Sequence, residues 1–88
     1  MISCDNESAI MNLAESYREL KEFDKSLLLY QKIKPNSLLY CGALVNKGIL
    51  HNKQSRYKEA LSCYESALNN CKSDENAWAN RAHTLNEI

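Results

Sequence analysis

The side chains best suited to chemistry in this chain are four cysteines and two histidines, and their spacing limits what they can do. A structural zinc site needs thiolate or imidazole ligands in close pairs, such as Cys-x-x-Cys followed by two histidines a turn apart. Cys4, Cys41, Cys63 and Cys71 make no such pair, and neither His51 nor His83 accompanies them at that spacing. Nucleophilic catalysis needs a nucleophile beside a base that a third group orients. No Ser, Cys or Asp stands from either histidine at a spacing that implies this, so His51 is expected to fill a core and His83 to line a surface groove. Gly42 and Gly48 both fall inside a helical pattern, which leaves no glycine-rich loop to cradle phosphate. The expectation is a non-enzyme with no cofactor and no metal. The thiols are expected to be free and packed as small apolar groups in a reducing compartment, although Cys41 and Cys71 open and close neighbouring antiparallel helices and could lie close.

A different chemistry is offered by Asn12, Asn46 and Asn80, which recur 34 residues apart. An amide both donates and accepts, so it can hold the backbone of a bound strand without demanding a particular side chain. The same offset carries Ile10 onto Leu44 and Trp78, Ala9 onto Ala43 and Ala77, and Ala14 onto Gly48 and Ala82. A period in this range marks a stacked array of repeats, here about 7–40, 41–74 and a partial 75–88 within one domain spanning 1–88.

Bulk properties agree with an array. At 88 residues a single core only marginally offsets the entropy of ordering the chain. Eleven Lys+Arg against eleven Asp+Glu leave net charge near zero, without the positive excess that phosphate neutralisation requires, so nucleic acid and membrane surfaces are not expected partners. No apolar run approaches a bilayer span, and the opening Met1-Ile2-Ser3-Cys4-Asp5 has neither a basic segment nor an apolar one. The expected location is the cytoplasm, with the nucleus also allowed.

Five helices are expected to position these groups, with no strand, because nothing alternates with period two. The first runs from Asp5 to about Glu19, capped by Asp5 or Asn6, with Ile10, Leu13, Ala14 and Tyr17 as its buried stripe. After a polar corner at Lys21 and Glu22, Asp24 caps a second helix to about Lys34, striped by Phe23, Ser26, Leu27, Tyr30 and Ile33. Pro35 breaks the chain, since it lacks an N–H and pushes Lys34 out of helix. A third helix runs from about Ser37 to Asn52 or Lys53. Ser55 caps a fourth, from about Arg56 to Asn70 or Cys71, with Tyr57, Ala60, Leu61, Tyr64, Ala67 and Leu68 on one side. Asp74 opens a fifth through Trp78, Ala82 and Leu85.

These residues resemble the tetratricopeptide repeat family. Its signature of a bulky residue, a leucine-small pair and an aromatic stands as Ile10, Leu13-Ala14 and Tyr17, then as Leu44, Gly48 and His51 with Lys47 for the leucine, then as Trp78, Ala82 and Leu85 with Arg81 for the leucine. The second half appears as Ser26 with Tyr30 and as Ala60 with Tyr64. The proline that usually ends each unit is missing, with Leu38 and Lys72 in its place and Pro35 three residues early. The resemblance implies an all-α, right-handed solenoid of antiparallel helix hairpins. Small residues at 14, 48, 60, 67 and 82 then allow close approach, while Tyr30, Tyr64 and Trp78 fill the gaps.

It also implies a non-catalytic protein-binding module, in which the first helix of each repeat lines a concave groove for an extended peptide. The 100° step per residue points Asn12 away from the buried stripe, with Ser8, Glu15 and Glu19. The candidate groove is therefore Asn12, Asn46 and Asn80 flanked by Met11, Val45, Ile49 and Ala79, with Glu15, Arg18, Lys53, His83 and Glu87 as mixed charge. Family members that grip acidic chaperone tails carry a clamp of lysines, asparagines and an arginine; the matching positions here are Met11, Glu15, Asn46, Asn76 and Asn80, so chaperone tails are not expected to bind. An alternative is a scaffold piece that self-associates or docks through its last helix. No sixth helix covers Trp78 and Leu85, each worth about 1.5–3 kcal/mol of burial. A cap by the last helix itself and pairing with another copy stay open beside the favoured expectation that Ile88 is where a longer repeat protein was cut.

Overall fold

The structure is a computed structural model that describes residues 3–87, with side chains from 7 to 87. Five helices follow one another: α1 (Ser3–Glu19), α2 (Phe23–Tyr30), α3 (Tyr40–Lys53), α4 (Tyr57–Asn70) and α5 (Glu75–Glu87). The fold is all-α, as expected, and the described residues contain no strand. α1 pairs with α2 and α3 with α4 as antiparallel hairpins, and α5 lies on α4 and α3. The slab measures 43 × 29 × 15 Å over Cα atoms, so it is a single layer of hairpins and each must bury its apolar side against the next.

α3 is the helix with neighbours on several sides, and its sequence reflects this. Cys41, Ala43, Leu44, Val45, Gly48 and Leu50 are all buried, spread around most of its circumference rather than along one stripe. Ala43 and Leu50 pack with Ala14, Tyr30 and Ile33 of the first hairpin, while Leu44 and Val45 pack with Ala60, Tyr64, Ala67 and Ala77 toward α4 and α5. The small residues expected at helix contacts are buried at Ala14, Gly48, Ala60 and Ala67, but Ala82 is exposed. On α5 it is Ala77 and Thr84 that face inward, the counterparts of Ala43 and Leu50. Leu13 is 48 % exposed rather than buried, because it lines an open furrow between α1 and α2 with Leu28 and Leu29. Trp78 and Leu85 are half exposed at 52 % and 47 %, although the Trp78 Nε1–H still donates to the Lys72 carbonyl at 3.0 Å.

Several helix ends differ from expectation. α2 stops at Tyr30 instead of Lys34: Lys32 and Ile33 donate to the carbonyls of Leu29 and Tyr30, three residues back, as the turn tightens before Pro35. α3 begins at Tyr40, not Ser37, whose hydroxyl accepts the Leu39 N–H at 3.1 Å. Asp24 lies in the first turn of α2, and the N-cap is Glu22 with no side-chain cap bond. Ser55 does not cap α4 either; Arg56 occupies that place, and Ser55 has φ of 62°. Asp74 does cap α5, its Oδ1 accepting the N–H groups of Asn76 at 3.0 Å and Ala77 at 3.3 Å. α1 begins at Ser3, so Asp5 and Asn6 lie inside the helix instead of capping it, and the helix starts two residues earlier than expected.

The thiol expectation is corrected. Cys41 and Cys71 form a disulfide, with Cα atoms 6.4 Å apart, that ties the start of α3 to the residue just past α4. Antiparallel pairing of α3 and α4 brings the two together, which removes the thiol argument for a reducing compartment. Cys63 is free and partly buried, and burial pushes its thiol up; Cys4 lies outside the described side chains.

Two outcomes follow from this packing. A Cβ added at Gly48 would stand 2.8 Å from Tyr64 Cδ1 and Cζ and nearer still to Cε1, and the Tyr64 side chain is fully buried with nowhere to retreat. Gly48→Ala therefore costs about 1–3 kcal/mol in urea unfolding despite the better helix propensity of alanine; an equal or raised midpoint would contradict the contact. Reduction of the disulfide, which closes a sequence separation of 30, lowers stability by about 3.6 kcal/mol. The check is thermal unfolding with and without reductant, with a Cys41→Ala, Cys71→Ala double variant insensitive to it.

Candidate functional site

The two hairpin corners are built alike and at the repeat offset. Lys21 and Ser55 both adopt left-handed backbone, with φ of 64° and 62°. In the first corner the Lys21 N–H donates to the Arg18 carbonyl at 3.0 Å and the Glu22 N–H to the Tyr17 carbonyl at 2.8 Å. In the second, Ser55 donates to Asn52 at 3.0 Å and Arg56 to His51 at 2.8 Å. This is the Schellman helix end, which uses up the last carbonyls and turns the chain sharply, here without the usual glycine.

That turn creates an open furrow. A cavity of about 450 Å³ lies between the last turn of α1, the corner and the last turns of α3, lined by Arg18, Glu19, Lys21, Phe23, Ile49 and Lys53. Phe23 and Ile49 supply apolar surface and are themselves half-buried against the core. Arg18 reaches from α1 to α3, its Nη1 donating to Asn46 Oδ1 at 3.3 Å, and this bond fixes both side chains at the furrow.

The expected groove residues divide into those brought to this furrow and those kept from it. Ile49 and Lys53 line it, and Asn46 adjoins it through Arg18. Asn12 and Glu15 are exposed on α1 and do not line the furrow. Met11 is half-buried and lies against α3, its Cε 3.8 Å from where a Gly42 Cβ would stand. Val45 is buried at 6 % exposure within the α3–α4 core, so it supports packing and offers a ligand nothing. Asn80 is half-buried and returns its Nδ2 to the Asn76 carbonyl of its own helix at 2.8 Å. Ala79 and His83 are exposed on α5, with His83 Nε2 3.8 Å from Glu87 Oε2, away from the furrow.

Lys21 and Phe23 were not expected at the groove. Lys21 reads as a corner residue and Phe23 as part of a buried stripe; only the left-handed turn between them brings both to one opening. The signal lies in the matching corners at 21 and 55, where Lys21 and Ser55 stand in place of glycine.

His51 is half-buried, and its Nδ1 has no hydrogen-bond partner among the described residues. Burial pushes its imidazole below the ordinary value, with Glu59 opposing and Arg56 and Lys47 reinforcing. Among the described residues no group of three His, Cys, Asp or Glu side chains could hold a metal ion, and no helix is long and apolar enough to cross a membrane.

With this geometry in view, residues 43–77 match the family model described as tetratricopeptide repeat. The matched stretch runs from the first turns of α3, through α4, to Ala77 of α5. The resemblance read from the signature residues therefore stands over that stretch, and repeats of this family mediate protein–protein interaction. No curated protein matches the chain.

Relief of the left-handed corner is measurable. Lys21→Gly removes a Cβ penalty of about 1–2 kcal/mol and adds a smaller entropic cost, so chemical unfolding should show a net gain of about 0.5–1 kcal/mol. Ser55→Gly should behave the same, and a loss at both positions would contradict the backbone geometry. Acid has the opposite effect through His51. The unfolded chain binds the imidazole proton more readily than the folded one, so stability is full above the ordinary histidine value and is lost as pH falls through the folded value. Urea midpoints between about pH 7.5 and pH 5 should show a downward step that His51→Gln flattens; an unaltered step would assign it elsewhere.

Proposed function

We propose that this chain is a non-catalytic interaction module that holds an extended peptide segment along the side formed by α1, α3 and α5. The proposal treats the whole chain as one domain of two and a half tetratricopeptide repeats, at about 7–40, 41–74 and 75–88. The observation that carries it is the open furrow of about 450 Å³ at Arg18, Ile49 and Lys53, reached by residues from two successive repeats. A peptide lying there meets Asn46 through its link to Arg18, then Asn12 and Glu15 on one side and Asn80 and His83 on the other. The asparagine amides hold its backbone. Met11 and Glu15, with Asn76 and Asn80, stand where chaperone-tail binders carry clamp residues, so a chaperone tail is not the ligand.

A second reading draws on the exposed face of α5. Trp78 and Leu85 stand half exposed with Ala82 between them, a stripe that suits docking to a larger assembly or to another copy of the chain. Sedimentation equilibrium separates the readings, because a strictly monomeric species at high concentration removes self-association.

The peptide reading is tested by selecting from a library of random linear peptides on the wild-type chain, then measuring the selected peptides on a variant with Asn12→Ala, Asn46→Ala and Asn80→Ala of equal helicity. Binding should weaken about tenfold or more on the variant. Equal affinity for both chains would place the working surface elsewhere.

A further inference from the structure

We propose that the furrow between α1 and α3 selects one class of partner: an extended segment in which acidic side chains flank a single bulky apolar residue. This rests on the peptide-groove reading and adds the chemistry of the ligand. The furrow has three cations, Arg18, Lys21 and Lys53, against one carboxylate, Glu19, on a chain whose charges balance overall. Among the described residues the ion pairs are Arg81 with Glu65 and His83 with Glu87, so the three furrow cations have no carboxylate partner within 4.0 Å. Three like charges held around one opening raise the local potential and attract an anion of matching reach.

The three cations come from three places in the fold, which stacking brings to one opening. Arg18 is anchored through Nη1 to Asn46, leaving its other N–H groups for a carboxylate. Lys21 stands exposed at its left-handed corner. Lys53 comes from the last turn of α3, on the facing wall. Between them Phe23 and Ile49 give an apolar floor, and a segment bearing acidic groups alone would leave that floor wet. The occupant therefore combines the two chemistries: a Phe or Leu side chain on Phe23 and Ile49, with Asp or Glu on either side reaching Arg18 and Lys21 in one direction and Lys53 in the other. The chaperone-clamp positions Met11, Glu15, Asn46, Asn76 and Asn80 carry no lysine or arginine, so a free C-terminal carboxylate is not what the furrow holds.

A second furrow, of about 330 Å³ between α1 and α2, is lined by Leu13, Tyr17, Leu28 and Leu29 with Lys25 and Lys32 at its rim. It serves as the internal control, because it offers lysines beside apolar side chains but none of the bridging residues of α3.

The probe is a fluorescently labelled, acetylated and amidated peptide of sequence Ser-Asp-Glu-Phe-Glu-Asp-Ser, followed by anisotropy on the full chain at low and moderate salt. Binding is expected to weaken about tenfold or more when the acids become amides, when Phe becomes Ala, and when the protein carries Lys21→Glu with Lys53→Glu. It is expected to weaken with salt and to be unchanged by Lys25→Glu with Lys32→Glu. Circular dichroism on each variant verifies that the fold is kept, as both substituted furrow lysines are exposed. The proposal is overturned if the amide peptide binds equally well, if reversal of Lys21 and Lys53 has no effect, or if no binding is seen to about 1 mM. A basic counterpart that binds in place of the acidic one, and is lost with Asn12→Ala, Asn46→Ala and Asn80→Ala, would overturn the charge assignment and leave the groove standing. Peptides indifferent to every substitution on α1 and α3 would overturn the groove reading itself.

Discussion

The contact on which the rest of the structure depends is the close approach of α3 to α4 at Gly48. The Tyr64 ring lies against the bare backbone there, in the space a side chain on α3 would need. Because Gly48 admits the ring, Tyr64 is fully buried and the second hairpin closes tightly enough to carry Ala60, Ala67, Leu44 and Val45 in one core. α3 can then offer its other sides to the first hairpin through Ala43 and Leu50, and to α5 through its contacts there. The disulfide between Cys41 and Cys71 pins the far end of the same hairpin. In a single-layer slab no second layer compensates for a loose joint, so the second hairpin is the frame to which both ends attach.

The furrow is a consequence of that frame and of the corner at Lys21. α1 ends in a left-handed turn where Lys21 stands exposed, and α2 starts at Phe23, while α3 runs past with Ile49 and Lys53 on the facing wall. The Arg18 to Asn46 hydrogen bond crosses from one repeat to the next at this place. Charge, apolar floor and amide are thus drawn from three elements that only the stacking brings together. No single helix carries the site, which is what an array of repeats would be expected to offer a partner that lies across it.

Much of this was legible in the residues. The offset of 34 marks both hairpins, the small residues at 14, 48, 60 and 67 are the buried contacts, and Asp74 caps α5. What escaped has physical causes. A one-stripe reading fails for α3, which is covered on several sides, so Leu50 was passed over and Val45 was assigned to a groove from which packing withdraws it. The same reading buries Leu13, which stands half exposed at an open furrow with Leu28 and Leu29. Ser55 and Asp24 look like caps by residue type, yet the corner is closed by backbone bonds that any side chain can accompany once the left-handed turn is accepted. The Cys41 to Cys71 bond depends on how closely two antiparallel helices pack, a quantity that spacing suggests but does not measure.

The central claim is that a peptide partner is held where α1 and α3 converge. The most direct measurement is a titration of the isotopically labelled chain with the acidic Phe-containing peptide, followed by backbone amide chemical shifts. The account predicts the largest changes at Arg18, Lys21 and Phe23 and at Ile49 and Lys53, with Trp78, Leu85, Leu13 and Leu28 unmoved. Changes centred on Trp78 and Leu85, or on the furrow of Leu13 and Leu28, would contradict it and make an exposed face of the array the surface that works.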